Sequence, residues 1–275
     1  MALQAYSLAS GSSGNAILVR DDNSAVLIDA GIGIRRLTAA LLQAQLNPAD
    51  LSAILITHEH SDHTAGALRM ARRYGTPIVA NASTLEAIPE ADTVPTRVID
   101  VGSELLIDDL MIRSFPVSHD AACPVGYTIE GHGSAVTSAT DTGILTPRIR
   151  AEAANAGLLI IESNHDPEML VTGPYPAYLK RRIAGDKGHL SNDTAAALLI
   201  DLAESERELS VWLAHLSKTN NTPAIALSTA QYLLWTCSGA PLNIEVALRD
   251  IPSLHWRQPQ TPLQLSLFQP NARTS

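Results

Sequence analysis

The chain has 275 residues, 45% of them hydrophobic, with 19 Lys and Arg against 28 Asp and Glu. That content supports one large α/β domain, and a formal charge of −9 excludes a global basic field, so any polyanion must be held locally. Residues 1–15 lack the regions of a secretory signal, no run reaches about 18 apolar residues, and Cys123 and Cys237 are too far apart for a disulfide framework, so a cytoplasmic protein without membrane association is expected.

Short β-branched and Leu-rich runs separated by Gly, Asp and Asn predict strands over residues 4–9, 15–20, 25–29, 53–57 and 77–80, with helices over 35–46 and 64–75. Further strands are predicted over 111–117, 126–130, 134–139, 158–163, 211–216 and 243–248. Helices fit 147–157, 176–185, 192–206 and 222–235, several opening on Ser, Thr, Asn or Pro. Strand clusters interrupted by helices predict two sheets with helices outside. Beyond residue 250 the chain turns rich in Pro and Gln without period, which divides it into a domain over 1–250 and a flexible tail over 251–275.

One heptad stands apart. Residues 57–63 read THEHSDH, directly after the apolar AILI. His58 and His60, two apart at a predicted strand end, can point at one ion, while Asp62 and His63 offer an oxygen and a nitrogen to a second. Such donors suit Zn²⁺, and also Mn²⁺ or Fe. Four residues cannot close two sites, and His119, Asp141 and His215 stand at later strand ends as further candidates.

This order of motifs, H-x-H-x-D-H followed by His, Asp and His, resembles the metallo-β-lactamase superfamily over nearly the whole chain to about residue 250. The resemblance implies a four-layer αββα sandwich and two divalent metal ions. By analogy His58, His60 and His119 hold one, Asp62, His63 and His215 the other, and Asp141 bridges them. Asp29 in LIDAG matches the aspartate that orients the ligand loop. Two close cations would ionise a bridging water and stabilise an oxyanion, which makes the reaction a hydrolysis. The fold does not choose the bond.

The phrases SLASGSSGN, TDTG, ESNHD, GHLSN and HLSKTNN further resemble the YycJ/WalJ branch, related to the phosphodiesterase PhnP and to RNase Z. That branch is associated with phosphodiester cleavage and includes a DNA 5′ exonuclease linked to mismatch repair. His189 matches the extra histidine of the phosphodiesterases, placed to contact a phosphate oxygen or protonate the leaving alcohol, and with Asp62 it is the residue expected to carry the chemistry. Asn164, His165 and Ser191 are candidate cleft residues. Ser10–Asn15 reads as a tight turn or as a cradle of N–H groups for phosphate. Lys180, Arg181, Arg182 and Lys187 precede His189, and Lys218 and Asn220 follow His215, a local basic patch that could hold DNA despite the net charge.

In the tail, Gln264–Phe268 (QLSLF) resembles the linear motif by which bacterial replication and repair proteins dock on the β sliding clamp, with Gln264, Leu265, Leu267 and Phe268 as the expected contacts. A small-molecule hydrolase acting on a cyclic phosphate diester, a lactone or a thioester is the alternative to a DNA exonuclease, and a clamp-bound adaptor without chemistry is a third reading. His189 and the basic patch weigh against lactones, QLSLF against a soluble metabolite, and the complete donor set against the adaptor. His60, where flavodiiron oxygen reductases carry Glu, disfavours that class.

Overall fold

The computed structural model describes residues 2–204, 208–238 and 241–259. The first half of the chain lays down β1 (Gln4–Ala9), β2 (Ala16–Arg20), β3 (Ala25–Ile28), α1 (Ile34–Gln43), β4 (Ala53–Leu55), α2 (Ser61–Thr64), α3 (Ala67–Tyr74), β5 (Ile78–Ala80), α4 (Ala82–Ala87) and β6 (Thr96–Val98). The second half supplies β7 (Glu104–Ile107), β8 (Leu110–Pro116), β9 (Val125–Gly131), β10 (Ser134–Ala139), α5 (Pro147–Ala153), β11 (Leu158–Glu162), α6 (Pro167–Thr172) and α7 (Ala177–Ile183). It ends with α8 (Asn192–Ala203), β12 (Ser210–Ala214), α9 (Pro223–Cys237), β13 (Asn243–Val246) and β14 (Leu254–Arg257). No helix among the described residues is long and apolar enough to cross a membrane.

The strands form two seven-stranded sheets, ordered β14-β1-β2-β3-β4-β5-β6 and β13-β12-β11-β10-β9-β8-β7. Alternation along each strand builds the layers. Val26 and Ile28 face the space between the sheets, where they join Ile112, Tyr127, Leu158, Ile160 and Trp212. Leu27 and Ile54 point the other way, onto Leu37, Leu41 and Met70 of the outer helices. Leu159, Ile161 and Leu213 pack likewise on Ile149, Leu198, Leu202 and Leu234. Strands buried on both faces read as nearly unbroken apolar runs, which is why the sequence exposes them so clearly. The expected four-layer α/β sandwich is the observed one.

Two parallel stretches position the site: β3 to β6 in the first sheet, and β10 to β13 in the second. Parallel neighbours finish at one edge, so the residues that follow them gather there.

Three differences from the sequence reading have physical causes. First, the tail does not begin at residue 251: β14 pairs antiparallel with β1, and Trp256 is buried between the sheets. The run SLHW is too short and too flanked by Pro to show a period. Second, the strands predicted over 25–29 and 211–216 stop at Ile28 and Ala214, because Asp29 and His215 adopt left-handed φ of 59° and 56°. Third, β6, β7, α2, α4 and α6 stand outside the predicted elements, β7 and α2 being only four residues each. β6 is exposed along its length and α4 and α6 are six residues each, so none has a hydrophobic period to read. Gln264, Leu265, Leu267 and Phe268 lie outside the described residues.

Candidate metal centre

The centre lies at the common edge where the parallel strands end. Asp29 follows β3, Asp141 follows β10 and His215 follows β12. All three take left-handed backbone conformations, Asp141 at φ 54°. An L-residue adopts that conformation at some cost, and it turns each side chain off the strand line. His58 and His60 do not sit on a strand end as the sequence suggested. β4 stops at Leu55, and the two lie on the loop leading into α2, with His60 as its N-cap residue. Their rings still meet, with His58 Nε2 and His60 Nδ1 3.0 Å apart.

The loop is held from outside. Gly31 runs so close to it that a Cβ there would fall 1.6 Å from the Asp62 carbonyl oxygen. The Ser10–Asn15 segment is a tight turn: Gly14 N–H donates to Gly11 O and Gly11 N–H to Asn15 Oδ1. Asn15 N–H donates to Asp62 O, and its side-chain amide reaches His63 Nε2 at 3.1 Å. Of the two readings of SGSSGN, the turn is what the backbone forms, and it braces the ligand loop.

His58, His63, His119, His189 and His215 are each held at Nδ1, which aims Nε2, whereas His60 turns its Nδ1 toward His58 Nε2. Asp29 Oδ2 accepts from His63 Nδ1 at 2.7 Å. Thr57 Oγ1 touches both Asp29 oxygens and lies 3.0 Å from His58 Nδ1. His119 Nδ1 donates to Gly188 O at 3.1 Å, and Glu162 Oε1 accepts from the Nδ1 atoms of His215 and His189, each at 2.8 Å. A carbonyl or carboxylate on Nδ1 sets the tautomer and leaves Nε2 as a lone-pair donor, the arrangement that metal-binding histidines require.

The free atoms converge. Asp141 lies 3.2 Å from His63 Nε2 through Oδ2, and 3.7 and 3.6 Å from His119 and His215 Nε2 through Oδ1, while Asp62 Oδ2 is 3.5 and 3.6 Å from His63 and His215 Nε2. Tetrahedral donors about 2.0–2.1 Å from an ion stand about 3.4 Å apart, so these are the spacings of atoms sharing cations rather than of hydrogen bonds. Asp141 Oδ2 and His215 Nε2 are buried without a hydrogen-bond partner among the described residues, which a polar atom tolerates only when something else satisfies it. Donor sets within metal-binding reach include His58, His60 and His119, and separately Asp62, His63 and His215. The residues fit a divalent metal site.

Charge points the same way. Burial opposes ionisation of Asp62, Asp141 and Glu162, yet the surrounding histidines hold all three acidic, Glu162 down to about 2. Burial also disfavours charging His63 and His215, but Asp29 and Asp141 outweigh it at His63, and Asp141, Asp62 and Glu162 lift His215 to about 10. Burial together with the neighbouring His63 holds His58 neutral, at about 2. The pocket thus concentrates negative charge that calls for cations, with protons on His63 and His215 filling that role when no metal does.

The expected substrate contacts divide. Arg181, Lys187 and Lys218 are exposed and have no ion-pair partner among the described residues, whereas Arg182 pairs with Asp120 at 2.6 Å and Lys180 Nζ donates to Val171 O. Asn164 and His165 are buried. The Asn164 amide donates to His215 O, and burial pushes the His165 imidazole down to about 4. Ser191 caps α8 through the Thr194 N–H, and Asn220 is fully buried behind Ser217. These four therefore support the site's frame rather than face a substrate. Glu162 is the residue that sequence reasoning missed in role: it ends a fully buried strand, and a lone acid at that point was the available signal. Thr57, read as the end of a strand, and Asn15, read as part of a turn or phosphate cradle, also touch the ligand histidines.

Residues 24–211 match the family described as the Beta-lactamase superfamily domain. The chain is 40% identical to the exodeoxyribonuclease YycJ of Bacillus anthracis over 85% of this chain and 90% of that protein. It is 39% identical to the exodeoxyribonuclease WalJ of Streptococcus pneumoniae over 81% and 84%. The metallo-β-lactamase fold protein YhfI of Bacillus subtilis superposes with a TM-score of 0.67, covering 94% of this chain and all of YhfI at 16% identity, a likeness of fold. The chain belongs to the β-lactamase superfamily, on the branch that holds YycJ and WalJ, and is a hydrolase of that metal-dependent class.

Proposed function

We propose that this member of the β-lactamase superfamily is a dinuclear metal phosphodiesterase that shortens DNA from a 5′ end, in replication-coupled mismatch repair. The convergence of seven donors at one edge of the sandwich carries the hydrolytic part, and identity to proteins named exodeoxyribonucleases over most of the chain supports DNA as substrate.

His58, His60 and His119 would hold one ion, Asp62, His63 and His215 the other, with Asp141 between them. When bound, two divalent ions, Zn²⁺ or Mn²⁺ by this donor set, supply an ionised water as nucleophile and neutralise charge on the phosphate. The chain's own residues do the rest. Asp29 and Thr57 fix the tautomers of His63 and His58, and Glu162 fixes those of His215 and His189. His189 is partly exposed, and Glu162, which accepts from its Nδ1, favours the imidazolium, whose Nε2–H can be given to a phosphate oxygen or to the departing alcohol. Arg181, Lys187 and Lys218 supply cations for the flanking backbone phosphates. The tail motif Gln264–Phe268 would bring the enzyme to DNA through the sliding clamp, with Leu265, Leu267 and Phe268 entering an apolar pocket.

The test is a substrate panel of 5′-phosphorylated duplex DNA, single-stranded DNA, RNA and a cyclic ribose phosphate, under Mn²⁺ and Zn²⁺. Progressive shortening of a 3′-labelled DNA strand is expected, with any 5′ label released at the outset. Turnover confined to the cyclic phosphate would overturn the nuclease reading in favour of a small-molecule diesterase.

A further inference from the structure

Helix α7 presents an aromatic side chain that nothing in the fold explains. Tyr178 is 68% exposed, its ring stacks on no neighbour, and its hydroxyl makes no hydrogen bond among the described residues. Core packing gives no reason for it, and an isolated exposed tyrosine would be unremarkable. Its position makes it otherwise.

Residues 178, 181 and 182 fall on one helical face, three and four apart. That face is anchored to the metal centre: Arg182 Nε donates to Asp120, the residue after His119, and His189 N–H donates to Ile183 O at the end of the same helix. Tyr178 therefore lies one turn, about 6 Å along the axis, from a side chain tied to the ligand loop. Arg181 is exposed beside it without a partner, and Lys187 and Lys218 are exposed nearby on segments that border His189 and His215. A π-face beside exposed cations without ion-pair partners among the described residues, on a helix tied to the segments that carry His119 and His189, suits one occupant, a single nucleic-acid strand, whose phosphates take the cations while a base lies on the ring.

We propose that the Tyr178–Arg181 face of α7 is a strand platform, on which an unpaired base one to three nucleotides from the scissile phosphate stacks on Tyr178 while its phosphate meets Arg181. The inference rests on the phosphodiesterase reading and deepens it, since a base can stack there only if the end of the strand is frayed or single-stranded.

The test uses the metal-loaded full chain and a hydrolysis-resistant phosphorothioate oligonucleotide carrying 2-aminopurine at successive positions, in single-stranded and duplex form. Quenching at one or two adjacent positions near the bound end is expected. Tyr178→Ala should remove that quenching and weaken binding about 5- to 100-fold, and Tyr178→Phe should restore both. Arg181→Gln should instead lower the slope of log affinity against log salt by about 0.7, leaving the quenched position unchanged. Quenching that survives Tyr178→Ala, or is absent while the DNA still binds, overturns the platform alone. A wild-type protein that hydrolyses bis(p-nitrophenyl) phosphate but binds no oligonucleotide overturns the DNA reading as well, and a protein ligand for this face would then be the remaining explanation.

Discussion

The two sheets contribute to one centre by different routes. The first sheet delivers Asp29, His58, His60, Asp62 and His63 within 35 residues of chain, most of them on one braced loop. The second delivers His119, Asp141, Glu162, His189 and His215 from separate loops and a strand end spread over residues 119–215, with Asp141, Glu162 and His215 brought together because β10, β11 and β12 are parallel neighbours ending at one edge. A local cluster depends on loop geometry, whereas a dispersed one depends on strand register. The two halves should therefore fail differently when disturbed.

The largest effect should come where the halves meet. Asp62→Ala leaves His63 and His215 without their shared carboxylate. It should reduce hydrolysis of bis(p-nitrophenyl) phosphate by at least about 10³-fold, as should chelation of the metals, with Mn²⁺ or Zn²⁺ restoring only the wild type. Residual DNA degradation equal to wild type would point to a contaminant.

Next, the supporting carboxylates separate the halves. Asp29 touches His63 directly and His58 through Thr57, one donor for each of the two proposed ions, so Asp29→Asn should lower metal affinity about 10- to 100-fold, read by competition with a chromophoric chelator. Glu162 touches His215 and His189. Glu162→Gln should cost similar metal affinity but depress kcat further at saturating metal, because His189, the proposed proton donor, loses its anchor. Equal kcat in the two variants would remove His189 from the chemistry.

Gly31→Ala probes the local half alone. Its methyl would displace the Asp62 carbonyl, and a cost of about 2–3 kcal/mol is expected, a fall in Tm of roughly 5–10 °C by calorimetry. Metal affinity should fall with it, since the same loop carries the donors.

The smallest effect on chemistry should follow deletion of residues 260–275. Hydrolysis of the small diester should be unchanged, while clamp binding measured by surface plasmon resonance disappears. Unchanged clamp affinity would dismiss the QLSLF reading.

The asymmetry between the halves also governed what could be read in advance. His58, His60, Asp62 and His63 announce themselves because spacing alone makes them neighbours. His119, Asp141 and His215 are individually ordinary, and they became candidates only as polar residues placed where apolar runs stop. ESNHD contains Glu162 but does not reveal its role, because nothing in those five residues states that two distant imidazoles share one of its oxygens. Asn164 and Ser191 differ in the opposite direction, polar residues whose hydrogen bonds run to His215 O and to the start of α8. β14 was taken for tail because a four-residue edge strand between prolines has no period.

By itself, then, the chain determined the layers, since residues buried on both faces of a strand leave an apolar run that survives any folding detail, and it determined the metal-binding loop, since contiguous donors need no topology. Tertiary structure alone decided which strand ends meet, which nitrogen of each histidine is tied and which is free, and which polar side chains look outward. Those depend on parallel register and on the left-handed turns at Asp29, Asp141 and His215, and an amino-acid sequence does not state its own pairing.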